Sequence, residues 1–197
     1  MTKKEFLDQL IEQKNGVIHI SDVLAADISK TYFYDYAREQ GLRKAGHGVY
    51  QTEDVWEDPF ALLQSRCSQA IFSHDTALYF HDLTDREPMY LSVTVRTGYN
   101  PHRINKDGTI VYSIKEELHD LGIMDTKTPY GNTVKTYDVE RTICDIIRSR
   151  SRLETDMVLN AIKQYAVRKE KDLGQLMKYA KALRVEKAVR GYMEVLL

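Results

Sequence analysis

Apolar and polar positions sort the start of the chain into short helical stripes and alternating strands. Phe6, Leu7, Leu10 and Ile11 recur at i, i+1, i+4 and i+5, which predicts an amphipathic helix over residues 3–14. Asn15-Gly16 supplies the left-handed residues that commonly end one. "VIHI" is a short extended piece, and Ser21 is placed to cap a short second helix through Ala26. Asp27-Ile28 turns the chain, and Ser29 caps a third helix that stops at Gly41. "LRKAGHGVYQ" then reads as strand, glycine turn, strand. Helix, short strand, helix, turn, helix, hairpin is the order of a winged helix-turn-helix.

From residue 52 the pattern changes. "TEDVWEDPFALLQSRCS", residues 52–68, is an acidic connector running into a helix after Pro59. "QAIFS" predicts a strand entering a Ser73-capped helix that ends near His81. "MYLSVTVRT" and "TIVYSIK" are β-branched and aromatic, as strands are, and a short helix follows at residues 116–121. "GIMDTKTPYGNTVKTYD" predicts a hairpin turning at Tyr130-Gly131-Asn132. From Val139 onward the pattern is helical. Ile143, Ile146 and Ile147 form one stripe; Leu159, Ile162 and Ala166 another; Leu173, Leu176 and Ala180 a third; Val185, Val189, Met193 and Leu196 a last. The expectation is an α+β protein. It comprises a winged helix-turn-helix over residues 1–51, a connector over 52–68, and a mixed α/β domain over 69–197 with a helical C-terminal end.

Composition adds little, since 43% hydrophobic and 29% charged residues are what an ordinary soluble globular protein carries. No apolar run approaches the roughly 18 residues of a membrane span, and the N-terminus lacks a signal peptide's apolar stretch. Two cysteines, Cys67 and Cys144, make neither a disulfide framework nor a metal site and fit a reducing compartment, so the expected location is cytoplasmic. Charge says more through its distribution. Residues 1–51 hold seven Lys/Arg and seven Asp/Glu, residues 52–140 eight and fifteen, and residues 141–197 thirteen and seven. Such asymmetry points to at least one surface facing a polyanion or a partner.

The third helix concentrates the candidate chemistry. With Phe33 at the centre of its buried face and about 100° per residue, Ser29, Phe33, Tyr36, Ala37 and Gln40 lie within about 60° of that centre. Thr31, Tyr34, Asp35 and Arg38 lie opposite, flanked by Tyr32 and Glu39. Tyr36 is therefore expected in the core, and Tyr32 and Tyr34 outside. An ordinary packed domain uses such a helix too, but the outward residues can also bond phosphates and base edges, and a helix N-terminus suits phosphate. The candidate DNA contacts are Ser29, Lys30, Thr31, Tyr32, Tyr34 and Arg38 on the helix, with Arg43, Lys44 and His47 on the hairpin. The neutral balance of residues 1–51 and the mid-face Asp35 count against strong non-specific affinity. A dimer or cooperative pair on DNA eases both.

"GVIHISDVLAADISKTYFYDYAREQGLRKAGHGVYQ" resembles the N-terminal head of the AbiEi family, the antitoxins of AbiE-type bacterial abortive-infection systems. That family shows a helix-turn-helix followed by a "G-x-L-x-x-x-x-x-G-V-Y" wing. Here the wing runs from Gly41-Leu42 to Gly48-Val49-Tyr50, with one residue fewer between Gly and Leu. Downstream, "AIFSHDTALYFHDL" resembles the family's strand–Ser–helix element, and "YDVERTICDII" its "Arg-Thr-x-x-Asp" helix start. The likeness covers about residues 3–150, and the basic tail agrees in character only. It implies that the head binds inverted repeats in its own promoter and represses the operon. It also implies that the C-terminal domain neutralises a nucleotidyltransferase toxin in a type IV arrangement, with no stable antitoxin–toxin complex. Neither a cofactor nor a membrane is expected.

Other constellations carry weaker signals. His74-Asp75 and His81-Asp82, seven apart, fall near one face of a helix and could bind metal, although a Ser73 cap with Asp75 in the first turn explains them as structure. Asp138 and Glu140 resemble an acidic pair, yet Asp138 serves as the N-cap of the next helix. Arg141 and Asp145 stand at i, i+4 and can pair. No nucleotide-binding glycine loop and no nucleophile with a base partner occurs, so catalysis is not expected. The basic end supplies Arg148, Arg150, Arg152, Lys163, Arg168, Lys169 and Lys171, either a polyanion surface or plain solvated helix faces. Two other functions stay open: a ligand-responsive repressor, and a metal-dependent nuclease or phosphohydrolase using His74, Asp75, His81 and Asp82.

Overall fold

A computed structural model of the chain describes residues 2–46, 48–53, 58–104 and 108–197. The chain divides into two compact units, Met1–Arg66 and Cys67–Leu197. Among the described residues the fold is mixed α and β, with ten α-helices and two sheets. No helix among them is long and apolar enough to cross a membrane.

The first unit opens with α1 (Lys3–Gln13), started by a capping box in which Thr2 and Glu5 bond each other's backbone. Asn15 and Gly16 both take positive φ, ending the helix as their residue types predict. β1 (Val17–His19) leads directly into α2 (Ile20–Ala25), with His19 rather than Ser21 at the cap position and no side-chain cap bond. The shift occurs because the helix begins two residues early, which puts Ser21 inside its first turn. Asp27, at φ 56°, makes the turn. α3 (Lys30–Glu39) follows, with Ser29 Oγ accepting from Tyr32 N at 3.3 Å. β2 (Arg43–Gly46) and β3 (Val49–Gln51) complete an antiparallel sheet of order β1-β3-β2, with a register shift between Lys44 and Gly46. Leu7, Ile18, Val23, Ile28, Phe33, Tyr36 and Ala37 form its core.

α4 (Pro59–Arg66) corrects the domain boundary. Its residues were expected in a connector over 52–68, yet the division falls after Arg66 and α4 packs on β2. Phe60, 1% exposed, anchors it, and Asp58 Oδ1 caps it by accepting from Phe60 N and Ala61 N. Acidic composition suggested a linker; one buried aromatic made it part of the fold.

The second unit builds a five-stranded mixed sheet of order β6-β5-β4-β8-β7. Its strands are β4 (Ile71–Phe72), β5 (Ser92–Arg96), β6 (Ile110–Ile114), β7 (Ile123–Lys127) and β8 (Thr133–Tyr137). β4 pairs antiparallel with β5 and parallel with β8, while β7–β8 is the predicted hairpin. α5 (His74–Phe80) and α6 (Glu116–His119) connect strands. The helical end comprises α7 (Val139–Arg148), α8 (Thr155–Val167), α9 (Leu173–Ala182) and α10 (Glu186–Leu196). α7 is the hub, because Ile143, Ile146 and Ile147 are fully buried against α5, α8 and α9. Leu159 and Leu173, expected in the stripes of α8 and α9, are exposed. α8 instead buries Val158, Ala161, Ile162, Tyr165 and Ala166.

Candidate functional site

The exposed face of α3 gathers most of the sequence-predicted site. Tyr36 is buried, its hydroxyl donating to Asp8 Oδ1 at 2.6 Å, whereas Tyr32 and Tyr34 are 38% and 42% exposed. Lys30 and Thr31 are exposed in the first turn. Arg38 is open to solvent with Asp35 3.6 Å away, a pair too exposed to hold either side chain firmly. Ser29 spends its hydroxyl on the helix cap. Lys3 Nζ sits over the Tyr32 ring at 5.7 Å, adding a cation from α1 that helical periodicity alone does not reveal.

Tyr50, on β3, ties this face to the hairpin. Its ring meets Phe33 edge-on at 5.1 Å and Tyr34 at 6.2 Å, and burial pushes its hydroxyl pKa up. Lys44 stands opposite Tyr50 across the β2–β3 pair, so the exposed Lys44 and the Tyr34 ring flank one residue. Arg43, also exposed, donates to the Glu53 carbonyl at 3.3 Å. His47, the expected hairpin tip, lies outside the described residues.

In the second unit the two histidines of the His-Asp pairs do not converge, although Asp75 and Asp82 both line one cleft. His74 is buried, stacked on Tyr112 at 3.4 Å, with Nδ1 3.0 Å from Ser73 Oγ and Nε2 2.9 Å from Ser149 Oγ. Burial, with the charges of Arg148, Arg152 and Arg141, holds its imidazole well below the ordinary range. The expected Ser73 cap is not made, because Ser73 Oγ faces His74 and accepts from Thr94 Oγ1 at 2.9 Å instead. His81 donates from Nε2 to the Tyr137 carbonyl at 2.6 Å, and Asp82 is exposed. Among the described residues no group of three or more His, Cys, Asp or Glu is arranged to hold a metal.

Beside them opens a cleft of about 970 Å³, lined by Asp75, Glu87, Tyr90, Tyr112, Arg152 and Glu154 among others. Arg152 covers the Tyr112 ring at 4.4 Å. Asp75 is half-buried, burial raises its pKa, and its Oδ1 has no hydrogen-bond partner among the described residues.

Arg141 and Asp145 form a fully internal pair. Nε donates to Asp145 Oδ2 at 3.0 Å, Nη1 to the Leu118 and Leu121 carbonyls at 2.8 and 2.7 Å, and the guanidinium lies 4.2 Å from the Tyr137 ring. Asp138 caps α7 by accepting from Arg141 N at 2.7 Å.

The basic tail is not one surface. Arg148 lines a small pocket with Lys115 and Arg184, Arg150 and Lys163 line a groove beside α10, and Arg152 lines the acidic cleft. The 3-10 turn Arg150–Arg152 explains the splay, since residues two apart on such a turn point about 120° from each other. Arg168 is half-buried with Nη1 donating to the His81 carbonyl, and Lys171 Nζ donates to Arg168 O, while Lys169 is exposed.

No protein-family model matches the chain, and no curated protein matches it either. Among solved structures it is similar in fold to the crystal structure of the RV2827C protein from Mycobacterium tuberculosis, with a TM-score of 0.61 and 11% identity. That likeness covers 98% of this chain and 79% of the other.

Proposed function

We propose that the first unit is a winged helix-turn-helix head, with α2–α3 as the helix pair and β2–β3 as the wing. The whole chain is a cytoplasmic autorepressor and antitoxin that binds inverted repeats in its promoter and catalyses no reaction. One observation carries this reading. Lys30, Thr31, Tyr34 and Arg38 are exposed on α3, and Tyr34 packs on Tyr50, the residue that Lys44 faces across the hairpin. A tyrosine–cation strip joining helix to hairpin suits a helix in the major groove with the hairpin along the backbone. The antitoxin role follows from the resemblance of residues 3–150 to AbiEi proteins, whose counterpart is a nucleotidyltransferase toxin antagonised without a stable complex. A second reading, a ligand-responsive repressor, is favoured by the cleft of about 970 Å³ in the second unit.

Operator binding tests the first role. Lys44→Ala should weaken binding across sequences and lower the salt slope by about 1, whereas Tyr34→Ala should change site preference. If neither variant alters binding, the assigned face is wrong. Expressing residues 1–66 and 67–197 separately against the neighbouring toxin and a promoter reporter tests the second. Growth rescue by the C-terminal fragment, with repression needing the head, is the expected division. Failure of the full chain to rescue removes the antitoxin role.

A further inference from the structure

Between α8 and α10 the second unit carries a groove of about 560 Å³. Its floor includes Leu159, Ile162, Ala188 and Val195, of which Leu159 is 36% and Val195 83% exposed. Arg150, Lys163 and Lys187 line it and no carboxylate does. Lys163 and Lys187 are exposed and have no ion-pair partner among the described residues.

Gly191 is the second, independent observation. It lies in the interior of α10 and lines the groove, yet it needs no left-handed backbone, and a Cβ added there would meet nothing within 4 Å. Glycine is among the poorest residues for a helix interior, so neither a turn nor crowding accounts for its presence. What glycine provides here is bare backbone on a groove wall, the condition for close approach by another chain.

We propose that this groove docks an acidic amphipathic helix of a partner protein. Its apolar face lies on Leu159, Tyr192 and Val195, its backbone passes close to Gly191, and its carboxylates meet Arg150, Lys163 and Lys187. The charge pattern selects this occupant: cations at the groove demand an anionic partner, and an apolar floor demands side chains rather than phosphates. The proposal is independent of the DNA-binding reading.

The probe is a fluorescein-labelled helical peptide of about 16 residues, with leucines at i, i+3, i+4 and i+7 flanked by glutamates. A matched peptide carries lysines in place of the glutamates. Anisotropy titrations with the full chain should show the glutamate peptide binding at least about 10-fold tighter than the lysine peptide. Gly191→Leu should weaken it at least about 10-fold while the thermal midpoint is kept or raised, leucine being the better helix former. Lys163→Glu with Lys187→Glu should reverse the peptide preference, a readout that stands if Gly191→Leu fails to fold. Equal binding of the two peptides, no binding, or indifference to the charge reversal overturns the proposal. So does sedimentation showing a dimer of the wild-type chain that Gly191→Leu dissociates, since a second copy then fills the groove.

Discussion

Replacing Arg141 with methionine should destabilise the second unit by about 5 kcal/mol or more. The guanidinium is 0% exposed and Asp145 3%. Removing one member of a buried pair costs about 3–5 kcal/mol, because the remaining charge is left uncompensated. The Leu118 and Leu121 carbonyls lose their Nη1 donor too, at about 1–3 kcal/mol for each that water does not reach. Methionine keeps most of the aliphatic volume, so the cavity contribution stays small. Asp145→Ala leaves both carbonyl bonds in place and should cost about 3–5 kcal/mol. Arg141→Met with Asp145→Leu removes both charges and should recover about 2 kcal/mol relative to Arg141→Met alone. Urea unfolding followed by circular dichroism, with amide exchange in α7 to separate the two units, measures all three. A loss below about 1 kcal/mol for Arg141→Met, or a double variant equal to the sum of the singles, refutes the reasoning.

Three further outcomes follow from the same geometry. Gly122, at φ 80°, would bring an alanine Cβ within 2.9 Å of Arg141 Cβ and 3.1 Å of Asp138 Oδ2, so Gly122→Ala should cost about 2 kcal/mol or more; an unchanged urea midpoint contradicts this. Burial holds the folded-state pKa of His74 and His81 below the unfolded value near 6.5, so the stability they contribute is complete above that pH and is lost as pH falls toward their folded values. Unfolding free energy should drop by up to about 1.4 kcal/mol per pH unit per histidine, and a slope that His74→Gln leaves intact argues against a buried neutral His74. Ser29→Ala should remove about 1 kcal/mol from the first unit, with Ser29→Asp restoring it, as read by thermal unfolding; no change would mean that the cap bond contributes nothing.

How much was legible in the sequence depended on the range of the signal. Helix α3, its Ser29 cap and the division of its tyrosines followed from 3.6-residue periodicity and local chemistry, as did the β7–β8 hairpin. What failed needed information from distant residues. The Ser73 hydroxyl is drawn from its cap by His74 and by Thr94 on another strand. Leu159 fits the α8 stripe by spacing, yet Tyr165 and Ala161 fill the interface it would have shared. Tyr50 and Lys3 touch the α3 face only through tertiary packing, so no pattern within α3 points to either.

The buried pair also decides what the resemblance can support. Within "YDVERTICDII" the distinctive residues are Arg141, Thr142 and Asp145, and all three are buried. Arg141 fastens α7 to the carbonyls that end α6 and precede Gly122, and Asp138 fixes the start of the helix. These residues hold the hub of the second unit and touch no open surface. This part of the likeness is therefore a motif of fold, and another chain keeping it would inherit the hub without inheriting the partner. The exposed residues on which the proposed functions rest lie elsewhere: Tyr34, Arg38 and Lys44 on the first unit, and the cations around Gly191 on the second. Variants at those positions, rather than at Arg141 or Asp145, separate a loss of function from a loss of folding.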